Sequence, residues 1–367
     1  MFEKLKGTLE YTKGKKPTLI EYSNEDTLPY LSAEYLRNNK LESYVDKKNI
    51  DSKYHCNSDD LLIIWDGSNS GEVFMGKPGI LSSTMAKLKI KDKKYTNKYL
   101  YYFLKQKFSI LNEKVTGAAI PHLNKAVLEN LEIYSATQSE QQEIVQVLDT
   151  MSNIIRLREE CISHAQDLIP ALFQEMFGDV IQNKKNINKI KLGKIFILSS
   201  GKFLPAKEMD ETGIYPVFGG NGINGYHNEY LFDEPKLCIG RVGVKCGCVH
   251  LTKQKSWITD NALYINKLLK PINIIYLKEA LTQINLNQYA KRAAQPVISQ
   301  STIYNQYILE PPIELQEQFA QKAIEIEAYI KEQNEELENA KQMFQSLLHH
   351  AFTGELTRHK FGGDANG

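Results

Sequence analysis

Residues 151–178 have the sequence MSNIIRLREECISHAQDLIPALFQEMFG, in which one series of residues recurs at alternating spacings of four and three. The series is Met151, Ile155, Arg158, Ile162, Ala165, Ile169, Leu172 and Met176. Adding 175 to each number gives Ile326, Ile330, Gln333, Leu337, Ala340, Phe344, Leu347 and Ala351. This is the heptad spacing of a helix that buries one stripe against a second helix. Because both series share one register, and each has its one polar member at the same place, we predict two long helices that pack against each other. The alternative is two unrelated amphipathic core helices.

The remainder of the chain is also duplicated, with a period of about half its length. The matched segments are 64–71 with 240–247, 83–86 with 259–262, 118–121 with 293–296, and 172–178 with 347–354. Their order is the same in both halves, at offsets near 175 or 176, whereas the first landmarks, Leu5 and Leu192, are offset by 187. The sequence therefore predicts two copies of one structural unit.

Short apolar runs before each helix predict α+β globular domains. The predicted strands are 60–65, 131–134, 237–240, 246–251 and 307–309, and the predicted helix is 97–111. We expect domain boundaries at 1–138 (first globular domain), 139–178 (first long helix), 179–311 (second globular domain), 312–356 (second long helix) and 357–367 (flexible tail). Ser139 with Gln142 has the form of a capping box, and Pro170 is expected to kink the first helix or to end its regular part.

Composition excludes several classes of protein. Apolar residues are 42% and aromatic residues 10% of the 367 residues, which argues against wholesale disorder. No run approaches the roughly 18 apolar residues of a membrane span, and the first residues carry no hydrophobic signal region. Five scattered cysteines do not form a disulfide framework. We expect a soluble protein of the cytoplasm.

The net charge of +1 conceals an uneven distribution. Residues 1–140 carry +3, residues 141–178 carry −4, residues 179–310 carry +7 and residues 311–367 carry −5. Basic globular domains between acidic helices favour phosphate binding by the globular domains. The alternative is a lysine-rich solubilising surface, which is the better explanation for +3 on the first domain taken alone.

A set of ordered motifs accompanies the duplication. They are Asp60-Leu61-Leu62-Ile63 followed by Gly67-Ser68-Asn69-Ser70-Gly71, then Gly117-Ala118-Ala119-Ile120-Pro121, Glu310-Pro311-Pro312-Ile313 with Glu317-Gln318, and the helix endings Phe177-Gly178 and Phe352-Thr353-Gly354-Glu355. Together they resemble the specificity subunits of type I restriction–modification systems over essentially the whole chain. One departure is Ala136-Thr137, which stands where the second half has Pro311-Pro312.

This resemblance implies two target-recognition domains, each of which reads one half of a bipartite double-stranded DNA site. The long helices would form an antiparallel coiled-coil spacer that docks two modification methyltransferase subunits, and restriction endonuclease–translocase subunits would join them. The subunit would be non-catalytic and would hold no cofactor, since S-adenosylmethionine, ATP and Mg would belong to the partner subunits. Residues 151–176 would span about 39 Å of helix at ~1.5 Å per residue, close to the ~34–36 Å of one DNA turn.

Side chains that recognise bases are expected on turns that approach the DNA closely. In the first domain the candidates are Ser68, Asn69, Ser70, Ser82, Ser83, Thr84, His122, Asn124 and Lys125. In the second they are Arg241, Lys245, Thr259, Asp260, Asn261, Gln295, Ser299 and Gln300. Candidate phosphate contacts are Lys15, Lys16, Lys77, Lys87, Lys114, Lys202, Lys291 and Arg292. The alternative for each is an ordinary turn or solvated residue.

Two sequence features suggest other chemistry. Cys246, Cys248 and His250 alternate along a predicted strand, as zinc ligands could, but zinc sites have wider spacings and a fourth ligand, so half-buried strand cysteines are the preferred interpretation. The segment 218–222, FGGNG, resembles a cofactor-binding loop but lacks the strand–helix unit and downstream acid that such a loop needs.

Two other functions remain as alternatives. Asp233, Glu234 and Lys236 have the composition of a metal-dependent endonuclease site, although such a trio is expected by chance among 44 acidic residues. The third possibility is a structural coiled-coil protein with no role on DNA.

Overall fold

The computed structural model describes residues 1–91, 94–117, 120–291 and 294–356, except for the side chain of Asn49. The predicted flexible tail, 357–367, lies outside the described residues. In the first half, the strands are β1 Phe2–Lys4, β2 Leu9–Lys13, β3 Thr27–Leu31, β4 Tyr44–Asp46, β5 His55–Cys56, β6 Leu61–Ile64, β7 Val73–Met75, β8 Gly79–Leu81, β9 Met85–Ile90 and β10 Glu132–Tyr134. The helices are α1 Ala33–Asn38, α2 Asn97–Gln106, α3 Phe108–Glu113, α4 Lys125–Glu129 and the long helix α5 Gln138–Phe177.

The second half has a similar order of elements, with one strand and two helices fewer among the described residues. Its strands are β11 Lys189–Lys191, β12 Phe196–Ser200, β13 Tyr215–Gly219, β14 Gly222–His227, β15 Leu237–Gly240, β16 Val249–Leu251, β17 Trp257–Ile258, β18 Ala262–Leu268 and β19 Tyr307–Leu309. Its helices are α6 Ile274–Gln283, α7 Gln300–Tyr304 and the long helix α8 Ile313–Thr353. Short 3-10 turns occur at Lys47–Asn49, Ser52–Tyr54, Leu192–Lys194, Ala206–Glu208 and Leu286–Tyr289.

Equivalent sheets appear in both halves. Within the described residues, one sheet of the first half has the strand order β2-β9-β6-β7, and its counterpart in the second half is β12-β18-β15-β16. A second sheet contains a parallel pair, β3 with β8 in the first half and β13 with β17 in the second. The strand that opens each half pairs antiparallel with the strand that closes it, β1 with β10 and β11 with β19. The predicted α+β duplication is confirmed.

Side-chain hydrogen bonds repeat as closely as the strands do. Tyr99 Oη donates to the Tyr134 carbonyl at 2.8 Å, and Tyr276 Oη donates to the Leu309 carbonyl at 2.8 Å. The side-chain oxygens of the buried Gln141 and Gln316 each accept a hydrogen bond from the N-cap residue of a shorter helix. The donors are the Thr96 N–H at the start of α2, at 2.9 Å, and the Asn273 N–H at the start of α6, at 3.0 Å. Because these bonds involve buried groups, they fix the start of each long helix against its globular domain.

The chain divides into two units. The first comprises Met1–Arg158 and the described chain from Glu336 onward, and the second comprises Glu159–Glu335. Each unit therefore contains one globular domain, part of α5 and part of α8, and has its own apolar core. In the first unit Ile144, Leu148, Phe344 and Leu348 enter the core of the globular domain.

In the second unit the two helix portions run antiparallel. Cys161 contacts Tyr329 at 3.3 Å between Sγ and Oη, and further along the Phe173 ring packs edge-on against the Phe319 ring, with 5.6 Å between ring centroids. Tyr276 of α6 joins these rings, so the helix pair is packed into the core of the domain.

All members of the predicted seam are buried or half-buried. Ile162, Ala165, Leu337 and Phe344 are buried, and Met151, Ile155, Ile169, Leu172, Ile326, Ile330, Ala340 and Leu347 are half-buried. The polar member Arg158 forms an ion pair with Glu336 in the first unit. A heptad series can thus include one charged residue when a partner carboxylate lies within reach.

The predicted capping box of the first long helix was wrong. The capping box is Thr137 with Glu140, since Thr137 Oγ1 accepts from the Glu140 N–H at 3.3 Å and Glu140 Oε2 accepts from the Thr137 N–H at 2.7 Å. Pro170 does not end the helix, which continues to Phe177. Because the flanking turns pack through Ile162, Ala165 and Phe173, the loss of one backbone hydrogen bond is tolerated.

Two smaller differences concern the globular domains. The predicted helix 97–111 is divided at Lys107 into α2 and α3. The predicted strand 246–251 is shorter, because Gly247 adopts a φ of +88° and holds the preceding residues in a turn. No helix in the described part of the chain has both the length and the apolar character that crossing a membrane requires.

Candidate nucleic-acid interface

In the first unit, a glycine-flanked turn (residues 67–71) connects β6 to β7. Gly67 and Gly71 have φ values of +117° and +97°, a region that other residues rarely adopt. The Gly71 N–H donates to the Ile64 carbonyl at 2.9 Å and closes the turn. A Cβ at Gly71 would lie 2.6 Å from Leu111 Cβ, so glycine is also required by packing. The turn exposes Ser68 and Asn69 and buries Ser70.

In the second unit, the equivalent glycine-flanked turn (residues 243–247) connects β15 to β16. Gly243 and Gly247 have φ values of +93° and +88°, and the Gly247 N–H donates to the Gly240 carbonyl at 2.7 Å. The turn exposes Val244 and Lys245 and buries Cys246. The two turns thus share one backbone arrangement.

The side chain of one asparagine stabilises the backbone of each glycine-flanked turn by hydrogen bonds. Asn112 Nδ2 donates to the carbonyls of Ser68 and Ser70 at 2.8 and 3.1 Å. Asn287 Nδ2 donates to the carbonyls of Val244 and Cys246 at 3.0 and 2.8 Å. Because both amide protons are used on backbone acceptors, the conformation of the turn does not depend on which side chains it exposes.

Two further predicted segments of the first domain lie beside its glycine-flanked turn. The Trp65 N–H donates to the Thr84 carbonyl at 2.8 Å, which brings the loop 82–84 to the turn. The Gly67 N–H donates to the Pro121 carbonyl at 2.9 Å, which brings the segment 121–124 to the other side. Candidates that are distant in sequence therefore form one surface.

The second domain brings its equivalent segments together in the same way. The Arg241 N–H donates to the Asn261 carbonyl at 2.9 Å, and the Gly243 N–H donates to the Pro296 carbonyl at 2.9 Å. The match of Thr84 with Asn261 shows an offset of 177 in this loop, so the predicted alignment of 83–86 with 259–262 was wrong by one residue.

Lysines that follow the second strand of each domain lie next to these loops. The Gly14 N–H donates to the Met85 carbonyl at 2.9 Å, and the exposed Lys15 and Lys16 follow directly. The Gly201 N–H donates to the Ala262 carbonyl at 3.1 Å, and Lys202 follows, with its Nζ 5.5 Å from the ring centroid of Trp257. We call the glycine-flanked turn and the two segments hydrogen-bonded beside it the converging loops of each unit. Each unit thus places positive charge beside its converging loops, where a phosphate backbone could be neutralised.

Comparison with known proteins identifies the family of this chain. The sequence model described as the type I restriction modification DNA specificity domain matches residues 1–164 and 184–339. The chain belongs to this family of type I specificity subunits. It is 29% identical to the type I restriction enzyme MjaVIII specificity subunit of Methanocaldococcus jannaschii, over 95% of this chain and 91% of that protein. It is 32% identical to the EcoprrI specificity subunit of Escherichia coli, over 48% of this chain and 45% of that protein.

Solved structures show the same fold. The crystal structure of the type I restriction–modification S subunit from M. genitalium matches with a TM-score of 0.64 at 17% identity and covers 96% of both chains. A chain from a study of complex assembly and conformational transition of the type I restriction–modification system matches with a TM-score of 0.55 at 13% identity, covering 96% of this chain and all of that one. At these identities the likeness concerns the fold.

Several predicted contact residues of this specificity subunit are engaged within the protein. Ser70 Oγ donates to the Gly67 carbonyl at 2.7 Å and is inaccessible. Lys77 bonds to Asn39 and lies over the Tyr35 ring, and burial lowers its pKa. Thr259 is 2% exposed. Others with internal partners are Ser82 and Ser83 (Tyr30), Lys87 (the His55 carbonyl), Lys125 (Glu129), and the helix caps Asn124 and Ser299.

The remaining candidates lie at the surface. Those classed as exposed are Lys15, Lys16, Ser68, Asn69, Thr84, Lys114, His122, Lys202, Arg241, Lys245, Asn261, Lys291 and Gln295. Asp260 and Gln300 are half-buried, and Arg292 lies outside the described residues. The converging loops of each domain, taken separately, thus retain exposed candidates.

A charge cluster in the first unit was not predicted. Asp66 Oδ2 lies 2.8 Å from Lys13 Nζ, and Asp66 Oδ1 lies 2.6 Å from His122 Nδ1. Burial acts to raise the pKa of Asp66, but the hydrogen bonds from Lys13 and His122 outweigh it and hold that pKa below its ordinary value. Lys13 and His122 are distant in sequence, so only the fold reveals the cluster.

Two other roles were missed but had a signal in the sequence. Asn112 and Asn287 occupy matching positions at an offset of 175, and a polar residue repeated in both halves indicates a shared structural bond. Val244 corresponds to Ser68 by the spacing of the flanking glycines and is 83% exposed, although apolar.

The cysteine segment is part of the glycine-flanked turn. Cys246 is buried with its Sγ 3.6 Å from Asn287 Nδ2, Cys248 is half-buried, and only His250 lies in β16. Across the described ranges, no group of three or more His, Cys, Asp or Glu side chains is arranged to hold a metal ion.

Proposed function

We propose that this chain is the DNA-recognition subunit of a type I restriction–modification complex and that each unit reads one half of a bipartite duplex site. One observation carries the proposal. The two units present different exposed side chains, Ser68 and Asn69 against Val244 and Lys245, on glycine-flanked turns fixed by the same hydrogen bonds. A common support with variable exposed residues suits two modules that bind the same polymer but recognise different sequences.

The two long helices set the spacing and provide docking surface in this proposal. They contain 40 and 41 residues, so each spans about 60 Å at ~1.5 Å per residue. Two modification methyltransferase subunits and the restriction endonuclease–translocase subunits dock here. The chain itself is non-catalytic, and S-adenosylmethionine, ATP and Mg are bound by those partners.

The deciding experiment is the methylation pattern produced by the reconstituted complex. The full chain is combined with the modification subunits of its own system and S-adenosylmethionine, and methylated positions are mapped on plasmid DNA. We expect a bipartite motif that requires this chain. A motif that persists without the chain, or one that lacks a non-specific gap, would contradict the proposal.

A second experiment tests the endonuclease alternative. The purified chain is incubated with Mg²⁺ and duplex DNA, with Asp233→Asn as the matched variant. We expect intact DNA with both proteins. Cleavage that is lost in Asp233→Asn would establish the nuclease instead. If the reconstituted complex shows no salt-dependent binding to DNA, the chain is a structural coiled-coil protein.

A further inference from the structure

Val244 is the apolar tip of the glycine-flanked turn in the second unit. It is 83% exposed, whereas Cys246 in the same turn is fully buried. The backbone on both sides is fixed, because the Gly243 N–H donates to the Pro296 carbonyl at 2.9 Å and the Val244 carbonyl accepts from Asn287 Nδ2 at 3.0 Å. A β-branched side chain also has few rotamers. The turn therefore holds an isopropyl group in water at a defined position, with little conformational entropy left to lose on contact.

Two cations lie close to this apolar tip in the sequence, one before it and one after it. Arg241 and Lys245 are both exposed, and neither side chain has an ion-pair or hydrogen-bond partner in the described part of the chain. In the first unit, Trp65, Ser68 and Asn69 occupy the positions of Arg241, Val244 and Lys245. Of the two units, only the second therefore has a valine between two cations in its sequence.

This combination matches one chemical target. The major groove of duplex DNA offers acceptors on guanine that suit Arg and Lys, and its one apolar group is the C5 methyl of thymine. A polar turn such as Ser68-Asn69 can donate and accept hydrogen bonds but provides no comparable apolar contact. Burying the valine against a methyl group would remove apolar surface of both from water.

We propose that Val244 is a specificity-determining residue that contacts the C5 methyl of a thymine in the half-site recognised by the second domain. This proposal rests on the proposed function and adds to it the identity of one base and of the residue that recognises it. Ser68 makes no such contact at the first half-site.

The test replaces thymine by deoxyuridine, which removes only the methyl group. Duplexes carrying the mapped motif are substituted at one thymine at a time in both half-sites, and their affinity for the reconstituted complex is measured. We expect that deoxyuridine weakens binding about fourfold at one thymine, which is the effect of removing one methyl group from an apolar contact. This thymine should lie in the half-site whose recognition is altered by Arg241→Ala. Val244→Ser should weaken binding to the thymine duplex similarly and should abolish the difference between thymine and deoxyuridine.

Matched variants complete the design. Val244→Thr keeps the branched shape and one methyl group, so it should retain part of the thymine preference. Ser68→Ala changes the equivalent residue of the first domain and should leave the thymine preference at the second half-site unchanged. Because Val244 is exposed, Val244→Ser should not change the thermal unfolding of the chain, which is measured in parallel. Equal affinity for thymine and deoxyuridine at every position, or a thymine preference that survives Val244→Ser, would overturn the assignment while leaving the bipartite motif intact. If the motif itself is absent, the proposed function fails instead.

Discussion

Arg241 and Trp65 are equivalent residues with different chemistry. Each follows a central buried strand, and each donates its backbone N–H to the neighbouring loop, to Asn261 or to Thr84. Trp65 is half-buried and packs on Tyr11, with 5.6 Å between ring centroids, whereas Arg241 is exposed. The same backbone position therefore supports the core in one unit and presents a cation in the other.

The first prediction concerns Arg241→Ala. If the guanidinium contacts guanine at two acceptors, its removal should weaken specific DNA binding by about 1–3 kcal/mol and relax the preference at one base pair. Footprinting or filter binding with the reconstituted complex measures both effects. The control is Lys253→Ala, which removes one charge from an exposed lysine away from the converging loops. Unchanged affinity and unchanged site preference in Arg241→Ala would refute the contact.

The second prediction concerns the pH dependence of Asp66. Its pKa is lowered in the folded protein by Lys13 and His122. A carboxylate with a lowered pKa contributes stability that is present above its ordinary pKa of about 3.9 and is lost as the pH falls below that value. Asp66→Asn should therefore reduce the free energy of unfolding by about 1 kcal/mol or less at pH 7, and the difference should be smaller at pH 3.

Denaturant unfolding at the two pH values measures this difference. Asp59→Asn is the matched control, because Asp59 is an exposed aspartate of the same domain whose carboxylate has no role in the cluster. A loss of stability in Asp66→Asn that is equally large at pH 3 would show that the cluster does not stabilise the fold through charge.

At the scale of the element, the glycine-flanked turns depend on one side-chain amide each. Only two glycines and an asparagine are shared between the turns, while the exposed residues differ. The turn is thus a support whose conformation is maintained from the protein side. The exposed residues of the turn can therefore differ without a change in the fold.

The third prediction tests this support with Asn287→Ala. The substitution leaves the carbonyls of Val244 and Cys246 without their donor, and we expect a loss of about 1–3 kcal/mol in the stability of the second unit. DNA affinity should fall as well, since the turn is less ordered before binding. Thermal unfolding and DNA binding are the measurements. Asn266→Ala, at an exposed position in β18, should change neither. A fully stable Asn287→Ala protein would contradict the role of the amide.

The helices show what a residue pattern can and cannot predict. Heptad spacing predicted both helices because burial of an apolar stripe repeats with the helix period. The capping box was misplaced from Thr137–Glu140 to Ser139–Gln142, because both pairs have suitable side chains and only the hydrogen bonds distinguish them. Pro170 does not end the helix, because the packing of adjacent turns outweighs one missing backbone bond. The expected kink at Pro170 stays a prediction.

At the scale of the whole molecule, each unit has its own core and its own set of converging loops. Each unit also draws on both long helices, so each globular domain shares one apolar core with parts of both helices. In the proposed function, each half-site would therefore meet its own set of contact residues.

The fourth prediction follows from these separate cores. Asn69→Ala and Arg241→Ala should each alter recognition of a different half-site, and in the double variant their effects on the free energy of binding should add to within about 0.5 kcal/mol. Binding of the reconstituted complex to duplexes with one altered half-site at a time measures the terms. A strong departure from additivity would mean that the two units read one shared set of base pairs.

The sequence by itself determined the duplication, the α+β class and the two long helices, because each of these depends on patterns that repeat along the chain. It also placed the glycines of both turns, since a positive φ restricts the residue type. The tertiary structure alone decided which candidates meet at one surface and which are engaged internally. Thr259 and Asn261 are similar polar loop residues in sequence, yet one is buried and the other exposed. Exposure and partners depend on residues distant along the chain, and no local pattern specifies them.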